Sequence, residues 1–131
     1  MKNFIQKVKW NKDGLISATL QDFDSKEVLM VAWMNEEALN KTIEEKKCYF
    51  WSRSRQKMWL KGEESGHIHF VKEVRFDCDM DALLIKVVVD DNISCHTGRK
   101  SCFYKLYDDD LGLVDEGNVI KNPEEIYKKN E

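Results

Sequence analysis

A segment of eight almost entirely apolar residues, 82–89 (ALLIKVVV), constrains the fold more than any other feature of the sequence. Its length fits one β-strand and is well below the roughly 20 apolar residues that cross a bilayer. Asp90, Asp91 and Asn92 follow it and predict a turn. The segment therefore indicates a buried strand, and no apolar run elsewhere in the sequence is long enough for a transmembrane helix.

The rest of the chain predicts further strands and one helix. Asn35 is expected to cap the helix, because Glu36 and Glu37 follow it in the first turn, where the helix dipole favours anions. The predicted strands, from alternating or aromatic patterns, are 15–22, 27–34, 48–52, 57–61, 67–76 and 102–107. These elements predict the α+β class: a single compact domain, mostly antiparallel sheet with one helix.

The segment 67–76 and the C-terminal tail carry two finer predictions. A regular strand would place five side chains of this segment on one face: His67, His69, Val71, Glu73 and Arg75. The tail from Asp108 is acidic and then polar, which predicts irregular structure with a short helix near 123–129. We expect residues 1–131 to form one domain, with 105–131 as a variable C-terminal tail.

The charge balance limits the class of partner. Lys and Arg number 21 and Asp and Glu 24 in the 131 residues, for a formal net charge of -3. Nucleic acids and anionic membrane surfaces attract proteins with a positive field, so we expect no general affinity for either. Segment 1–10 is interrupted by Lys2, Lys7 and Lys9, unlike a signal peptide. A cytoplasmic protein is therefore expected, with four cysteines that are thiols or metal ligands rather than disulfides.

The first candidate site is the acidic segment 77–81 (DCDMD). In an extended backbone its three aspartates would share one face, with Cys78 on the other. Three carboxylates on one face repel one another unless a cation neutralises them, and hard oxygen ligands suit Mg²⁺ or Ca²⁺. An EF-hand is excluded, because Ala82 and Val88 stand where that loop needs Gly and Glu. The alternative is a polar turn with solvated aspartates.

The second candidate site is the pair Cys95 and Cys102, with His96 beside the first thiol. Both thiols can reach one soft metal if the loop between them turns at Gly98. Zinc takes thiolate and imidazole ligands in tetrahedral geometry, and Cys78 would supply a third sulfur. The alternative is that each cysteine is a small buried hydrophobic residue.

The third candidate site is the segment 52–66, which combines four cations with serines and a glycine-flanked loop. Such groups bind phosphate through charge-assisted hydrogen bonds and backbone N–H groups. Trp51 and Trp59 offer faces on which a base could stack. Because the positive charge is local in an acidic chain, a pocket for an anionic small molecule is favoured over a nucleic-acid surface. The alternative is a solvated basic hairpin with core tryptophans.

Together and in this order, these segments resemble the phosphoribosyl-AMP cyclohydrolases, enzymes of histidine biosynthesis. The resemblance covers residues 15–104 and rests on five motifs: VAWMN at 31–35 with Ala38 and Leu39, YFWSRSR at 49–55, WLKGEESGH at 59–67, DCDMDALL at 77–84, and CHTG at 95–98 with SCF at 101–103. The family commonly has Gly in place of Met80, a change expected to alter only the local turn, and Asn in place of His67. The fused phosphoribosyl-ATP pyrophosphohydrolase domain of many relatives is expected to be absent, because few residues follow Phe103.

The resemblance implies a reaction, two cofactors and an assembly. The reaction is hydrolytic opening of the adenine ring of phosphoribosyl-AMP between N1 and C6, which yields the phosphoribosyl formimino carboxamide nucleotide. The family is homodimeric and uses zinc and magnesium. By motif position, the zinc ligands would be Cys95 and Cys102 of one subunit and Cys78 of the other. The magnesium ligands would be Asp77, Asp79 and Asp81.

The same resemblance suggests roles for the remaining polar residues. Three thiolates weaken the acidification of zinc-bound water, so a proton acceptor is needed. His96 is the first candidate and His69 the second, although His96 could instead orient the metal ligands through a hydrogen bond. The expected substrate-binding residues, whose cations would neutralise phosphates, are Arg53, Arg55, Lys61, Glu63, Ser65 and Gly66.

Two other functions remain open at the level of sequence. One is another zinc-dependent aminohydrolase acting on a purine, although the H-x-E…C-x-x-C pattern of the nucleoside deaminases is missing. The other is a non-catalytic, zinc-stabilised dimer module that binds an anionic partner through residues 52–61.

Overall fold

A computed structural model describes residues 3–128 of the protein, and within this range it contains eight strands and two α-helices. A four-stranded sheet and two hairpins account for all eight strands. The elements are β1 (Ile16–Asp22), β2 (Val28–Met34), α1 (Glu36–Glu45), β3 (Tyr49–Ser52), β4 (Lys57–Leu60), β5 (His69–Phe76), β6 (Ala82–Val89), β7 (Lys105–Asp108), β8 (Gly112–Asp115) and α2 (Pro123–Lys128). The predicted α+β class and single domain are confirmed.

The central sheet has the order β2-β1-β6-β5. The pairs β1–β2 and β5–β6 are antiparallel, as are both hairpins, so the predicted antiparallel character is confirmed. The middle pair, β1–β6, is parallel, which sequence analysis did not predict. A parallel pair needs a long crossover, and here the connection contains β2, α1, β3, β4 and β5.

The hydrophobic core lies on one face of this sheet. Alternate residues of β1 point into it, as the pattern predicts, and the buried face of β6 joins them. Leu39 of α1 and Phe50 of β3 belong to the same cluster and are fully buried. Burial of such a side chain contributes about 2 kcal/mol each. The opposite face leaves Val31, Phe70 and Val88 partly exposed.

Helix α1 begins as the sequence predicts. The side chain of Asn35 accepts a hydrogen bond from the backbone N–H of Ala38 at 2.9 Å. Glu36 and Glu37 occupy the first turn. The helix ends at Lys46, whose left-handed backbone (φ 61°) closes the last turn on the carbonyl of Thr42. The predicted cap is therefore confirmed.

The predicted face assignment along 67–76 is wrong beyond Val71. The register between β5 and β6 shifts between Val71 and Glu73, because a β-bulge adds one residue to β5 at Lys72. Since side chains alternate with a period of two, this insertion exchanges the faces. Val74 and Phe76, rather than Glu73 and Arg75, consequently join His69 and Val71 against the core.

Two predictions for the C-terminal part need correction. The strand predicted at 102–107 is instead Lys105–Asp108, and the segment expected to be irregular contains β8. An Asx turn closes this hairpin, because the Asp108 carboxylate accepts hydrogen bonds from the N–H groups of Asp110 and Leu111. The short helix near 123–129 is confirmed as α2, and Lys129 lies outside the described residues. Within residues 3–128, no helix is long and apolar enough to cross a membrane.

Candidate active site

The two thiols of the second candidate site lie together at one end of the domain. Cys95 is buried, and its sulfur accepts a hydrogen bond from the Thr97 hydroxyl at 3.0 Å. Cys102 is an exposed residue whose side chain contacts Cys95, and partial desolvation of its thiol together with that neighbour raises the pKa of Cys102 to about 11. The backbone N–H of Cys102 donates to Leu29 at 2.7 Å, which attaches the loop to β2. The arrangement presents two soft ligands to one point.

Gly98 allows this loop to turn, as expected. Its φ of +85° is left-handed, and its N–H donates to the carbonyl of Cys95 at 3.0 Å. A Cβ at this position would overlap the carbonyl oxygen of Lys121. Ile120 in turn donates to the carbonyl of Gly98 at 2.8 Å. The C-terminal tail therefore packs directly on the cysteine loop, a contact that sequence analysis missed.

The two histidines considered for proton transfer have different environments. His96 is exposed beside Cys95. His69 is fully buried, and its ring nitrogens lie 2.9 Å from the carbonyl oxygen of His67 and 2.8 Å from the hydroxyl oxygen of Ser94. Burial lowers the pKa of His69 to about 3, so its imidazole is neutral.

Lys61 connects the thiol pair to the third candidate site. Its ammonium donates a hydrogen bond to the carbonyl of Ser94 at 2.7 Å. Burial lowers the pKa of Lys61, while the neighbouring Cys102 and Cys95 act in the opposite direction. Its side chain also lines a small cleft of about 110 Å³.

This cleft contains most of the predicted substrate-binding residues. It is lined by Arg55, Trp59, Leu60, Lys61, Gly62, Glu63, Glu64, Ser65 and Tyr127. Arg53 lies elsewhere, with its guanidinium 4.9 Å from the centre of the Trp33 ring. Gly66 closes the loop through a 2.7 Å hydrogen bond to the carbonyl of Gly62 but does not line the cleft.

Tyr127 was missed because α2 lies far from this loop in sequence. The available signals were local ones: Asn122 accepts a hydrogen bond from the N–H of Glu124, as a helix cap does, and Pro123 follows it. Ile126 is buried and anchors the helix. Neither signal says where the helix packs.

The acidic segment forms a turn, which was the alternative to an extended backbone. Met80 has a left-handed backbone (φ 64°) and donates to the carbonyl of Asp77 at 3.1 Å. This conformation favours glycine, which accounts for the residue expected there in relatives. The turn nevertheless brings Asp77, Asp79 and Asp81 together, with one oxygen of each within 4.8 Å of the others. Hydrogen bonding to the Asp79 and Asp77 carboxylates raises the pKa of Asp81 to about 6.

Cys78 lies in this turn and is exposed. Within residues 3–128, the three aspartates are the only group of three Cys, His, Asp or Glu side chains close enough to share an ion. The two thiols therefore have no third ligand of this kind from their own chain among the described residues.

A cleft lined by two cations and two carboxylates, a pair of adjacent thiols and a separate carboxylate cluster occur together on one small α+β domain, an arrangement typical of an enzyme. The family model described as phosphoribosyl-AMP cyclohydrolase matches residues 30–104. A protein of that name from Nitrosospira multiformis is 54% identical over 95% of both chains. Another, from Burkholderia mallei, is 49% identical over 96% of this chain and 94% of its own length. The chain belongs to the phosphoribosyl-AMP cyclohydrolase family.

Proposed function

We propose that this chain opens the adenine ring of phosphoribosyl-AMP by hydrolysis between N1 and C6, in histidine biosynthesis. The observation that carries the proposal is the position of Lys61, which lines the same cleft as Arg55 and reaches the thiol pair. A phosphorylated substrate in the cleft would therefore lie next to the candidate metal ligands. The family membership and the names of the relatives support the same reaction.

Cys95 and Cys102 would hold zinc together with Cys78 of a second subunit. The donor set fits this ion, because two sulfurs lie side by side and soft thiolates are zinc ligands. Zinc bound there would supply the Lewis acidity that activates water for attack on the ring. A partner's sulfur is needed because Cys78 does not join the pair within its own chain.

The aspartate cluster would hold magnesium. Its carboxylates are hard oxygen ligands, and their proximity makes Asp81 retain a proton more readily than an isolated aspartate. A divalent cation would relieve the repulsion among Asp77, Asp79 and Asp81. Magnesium on this cluster would help to position a phosphate or ribose oxygen of the substrate.

Proton transfer and substrate binding would fall to residues around the thiols and the cleft. His96 accepts the proton of the attacking water, since it is exposed beside Cys95, whereas both ring nitrogens of His69 are occupied. Arg55 binds phosphate in the cleft, whereas Arg53, which does not line the cleft and packs on Trp33, would add only longer-range positive charge. Ser65 and Glu63 would orient the nucleotide through hydrogen bonds, and Gly66, whose N–H donates to the carbonyl of Gly62, would shape the loop that carries them.

The proposal includes a homodimer in the cytoplasm. The sheet face opposite the core exposes Val31, Phe70 and Val88, and a second copy would cover such apolar side chains. All four cysteines are free thiols, as a reducing compartment requires.

The test is an absorbance assay that monitors turnover of phosphoribosyl-AMP by the zinc-loaded protein. The assay is run with and without a chelator. We expect turnover that the chelator abolishes and added zinc restores. A folded, zinc-containing protein without turnover would support the non-catalytic module instead. Release of ammonia would indicate a deaminating aminohydrolase, because ring opening retains the exocyclic nitrogen.

A further inference from the structure

A buried polar network lies behind the thiol pair and converges on Ser94, the residue before Cys95. Ser94 is 2% exposed. Two residues distant in sequence hold it: Lys61, 33 positions away, contacts its backbone carbonyl at 2.7 Å, and His69, 25 positions away, contacts its hydroxyl at 2.8 Å.

The direction of each hydrogen bond follows from the chemistry of the partners. The carbonyl of His67 can only accept, so the Nδ1 of His69 carries the proton that it donates. The imidazole is neutral, which leaves Nε2 as an acceptor for the hydroxyl of Ser94. The ammonium of Lys61 donates to the Ser94 carbonyl. Both the backbone and the side chain of Ser94 are therefore held.

The loop's own hydrogen bonds at Ser94 are weaker than these two contacts. Its N–H is shared between the carbonyls of Arg99 and Lys100, each at 3.2 Å. Such a shared bond allows the residue to shift between its two acceptors. The contacts from Lys61 and His69 remove this freedom, because each would leave a buried polar group unsatisfied if it broke.

We propose that Lys61 and His69 are positioning residues that act through Ser94 to hold the Cys95 thiol in the geometry that binds the metal. The proposal rests on the proposed function of Cys95 as a zinc ligand. It assigns Lys61 and His69 different roles from those expected from sequence, phosphate binding and proton transfer. Residues behind metal ligands typically raise metal affinity 10–100-fold by fixing the ligands' orientation.

The test uses two variants that each remove one contact, Lys61→Met and Ser94→Ala. Zinc affinity is measured by competition with a chromophoric chelator, and the absorption spectrum of the cobalt-substituted protein reports the ligand geometry. We expect roughly 10–100-fold weaker zinc binding in each variant and an altered cobalt spectrum. Lys12→Met and Ser54→Ala, at exposed positions outside the cysteine loop, are the matched controls and should bind zinc as the wild type does.

The outcomes separate this proposal from the proposed function. If the wild-type protein binds zinc stoichiometrically and both variants bind it equally tightly, the positioning role is wrong while the zinc site stands. If Cys95→Ala binds zinc as the wild type does, the proposed ligand itself is wrong. Circular dichroism at the assay temperature checks folding, and if Lys61→Met does not fold, the result for Ser94→Ala decides.

Discussion

At the scale of single residues, the four cysteine thiols have sharply different environments. Cys95 and Cys102 contact each other at the end of the domain, whereas Cys48 is buried in the core, where desolvation raises its pKa to about 12. Cys78 is exposed in the aspartate turn. The same side chain thus serves as a candidate ligand in three places and as a small apolar residue in the fourth.

We predict that Cys102→Ala loses both stoichiometric zinc and turnover, because the substitution removes one of two adjacent sulfurs. Cys48→Ala is the matched control, which deletes a thiol outside the site and should retain both. Metal content by atomic absorption and the phosphoribosyl-AMP assay check the prediction. Retained zinc with full turnover in Cys102→Ala would contradict the ligand assignment.

His69 should make the stability of the protein depend on pH. Its folded pKa of about 3 lies below the ordinary value of 6.5, so the unfolded chain binds a proton that the folded chain does not. The stabilisation is complete above pH 6.5 and is lost as the pH falls towards 3. From this group alone, we expect the free energy of unfolding to fall by about 2 kcal/mol between pH 7 and pH 5.

Urea unfolding of the wild type and of His69→Gln at both pH values measures this contribution. The difference in the free energy of unfolding between pH 7 and pH 5 should be about 2 kcal/mol smaller in His69→Gln than in the wild type. His96→Gln serves as the control, since His96 is exposed. An equal pH dependence in the wild type and His69→Gln would show that His69 is not the group responsible.

At the scale of secondary-structure elements, the C-terminal tail is a structural part of the site. The backbone N–H of Ile120 in the tail donates to the carbonyl of Gly98, and the Arg99 side chain donates to the carbonyl of Gly117 at 3.0 Å. Tyr127 of α2 lines the cleft. These contacts connect the loop between the two thiols to the segment that follows β8. The tail therefore packs against the cysteine loop and forms part of the wall of the cleft.

Gly98→Ala should displace the tail from the cysteine loop. The new methyl group would overlap the Lys121 carbonyl, and the left-handed backbone is unfavourable for alanine. We expect a loss of about 2 kcal/mol or more in the free energy of unfolding, together with weaker zinc binding. Urea denaturation and chelator competition measure the two effects.

Gly112→Ala is the matched control for this prediction. Gly112 has a similar φ of +81°, but nothing lies within 4 Å of an added Cβ. The free energy of unfolding of Gly112→Ala should therefore fall by only about 1 kcal/mol, the cost of a left-handed backbone conformation at alanine. Equal losses in the two variants would mean that the contact with the tail contributes nothing.

At the scale of the whole molecule, residues 3–128 of one chain bring no third Cys, His, Asp or Glu ligand to the thiol pair. The thiol pair and Cys78 do not form one group of donors, and the sheet face opposite the core is partly apolar and exposed. A symmetric dimer would supply the third sulfur twice, once to each site.

Mixing Cys78→Ala with Cys102→Ala should restore activity that neither variant has alone. A mixed dimer combines an intact thiol pair from one chain with an intact Cys78 from the other, so one of its two sites is complete. Random exchange of subunits makes half of the dimers mixed, which predicts about a quarter of the wild-type activity. The restored activity is measured as turnover after the mixture has been unfolded and refolded. Each variant refolded alone is the control.

A mixture as inactive as its components would contradict a shared site. Sedimentation equilibrium of the wild type gives the independent measurement. A monomer at assay concentration with full turnover would exclude the dimer proposal.

The sequence was sufficient for features that depend on neighbouring residues. Alternation predicted β1, and a nearly continuous apolar run predicted β6. The side chain of Asn35 predicted the start of α1, and clustered aspartates predicted a group of carboxylates. Each depends on periodicity or on a hydrogen bond within a few positions, which a one-dimensional pattern records.

Only the tertiary structure decided which distant residues meet. The bulge at Lys72 exchanges the two faces of β5 beyond Val71. The ammonium of Lys61 donates to the carbonyl of Ser94, and the C-terminal tail packs against Gly98. The partners of these contacts are chosen by packing and by the need to satisfy buried polar groups, which act on the folded chain as a whole. The sequence therefore determined most of the elements and the types of side chain available as candidate ligands, while three-dimensional packing determined which of those side chains lie together and which residues support them.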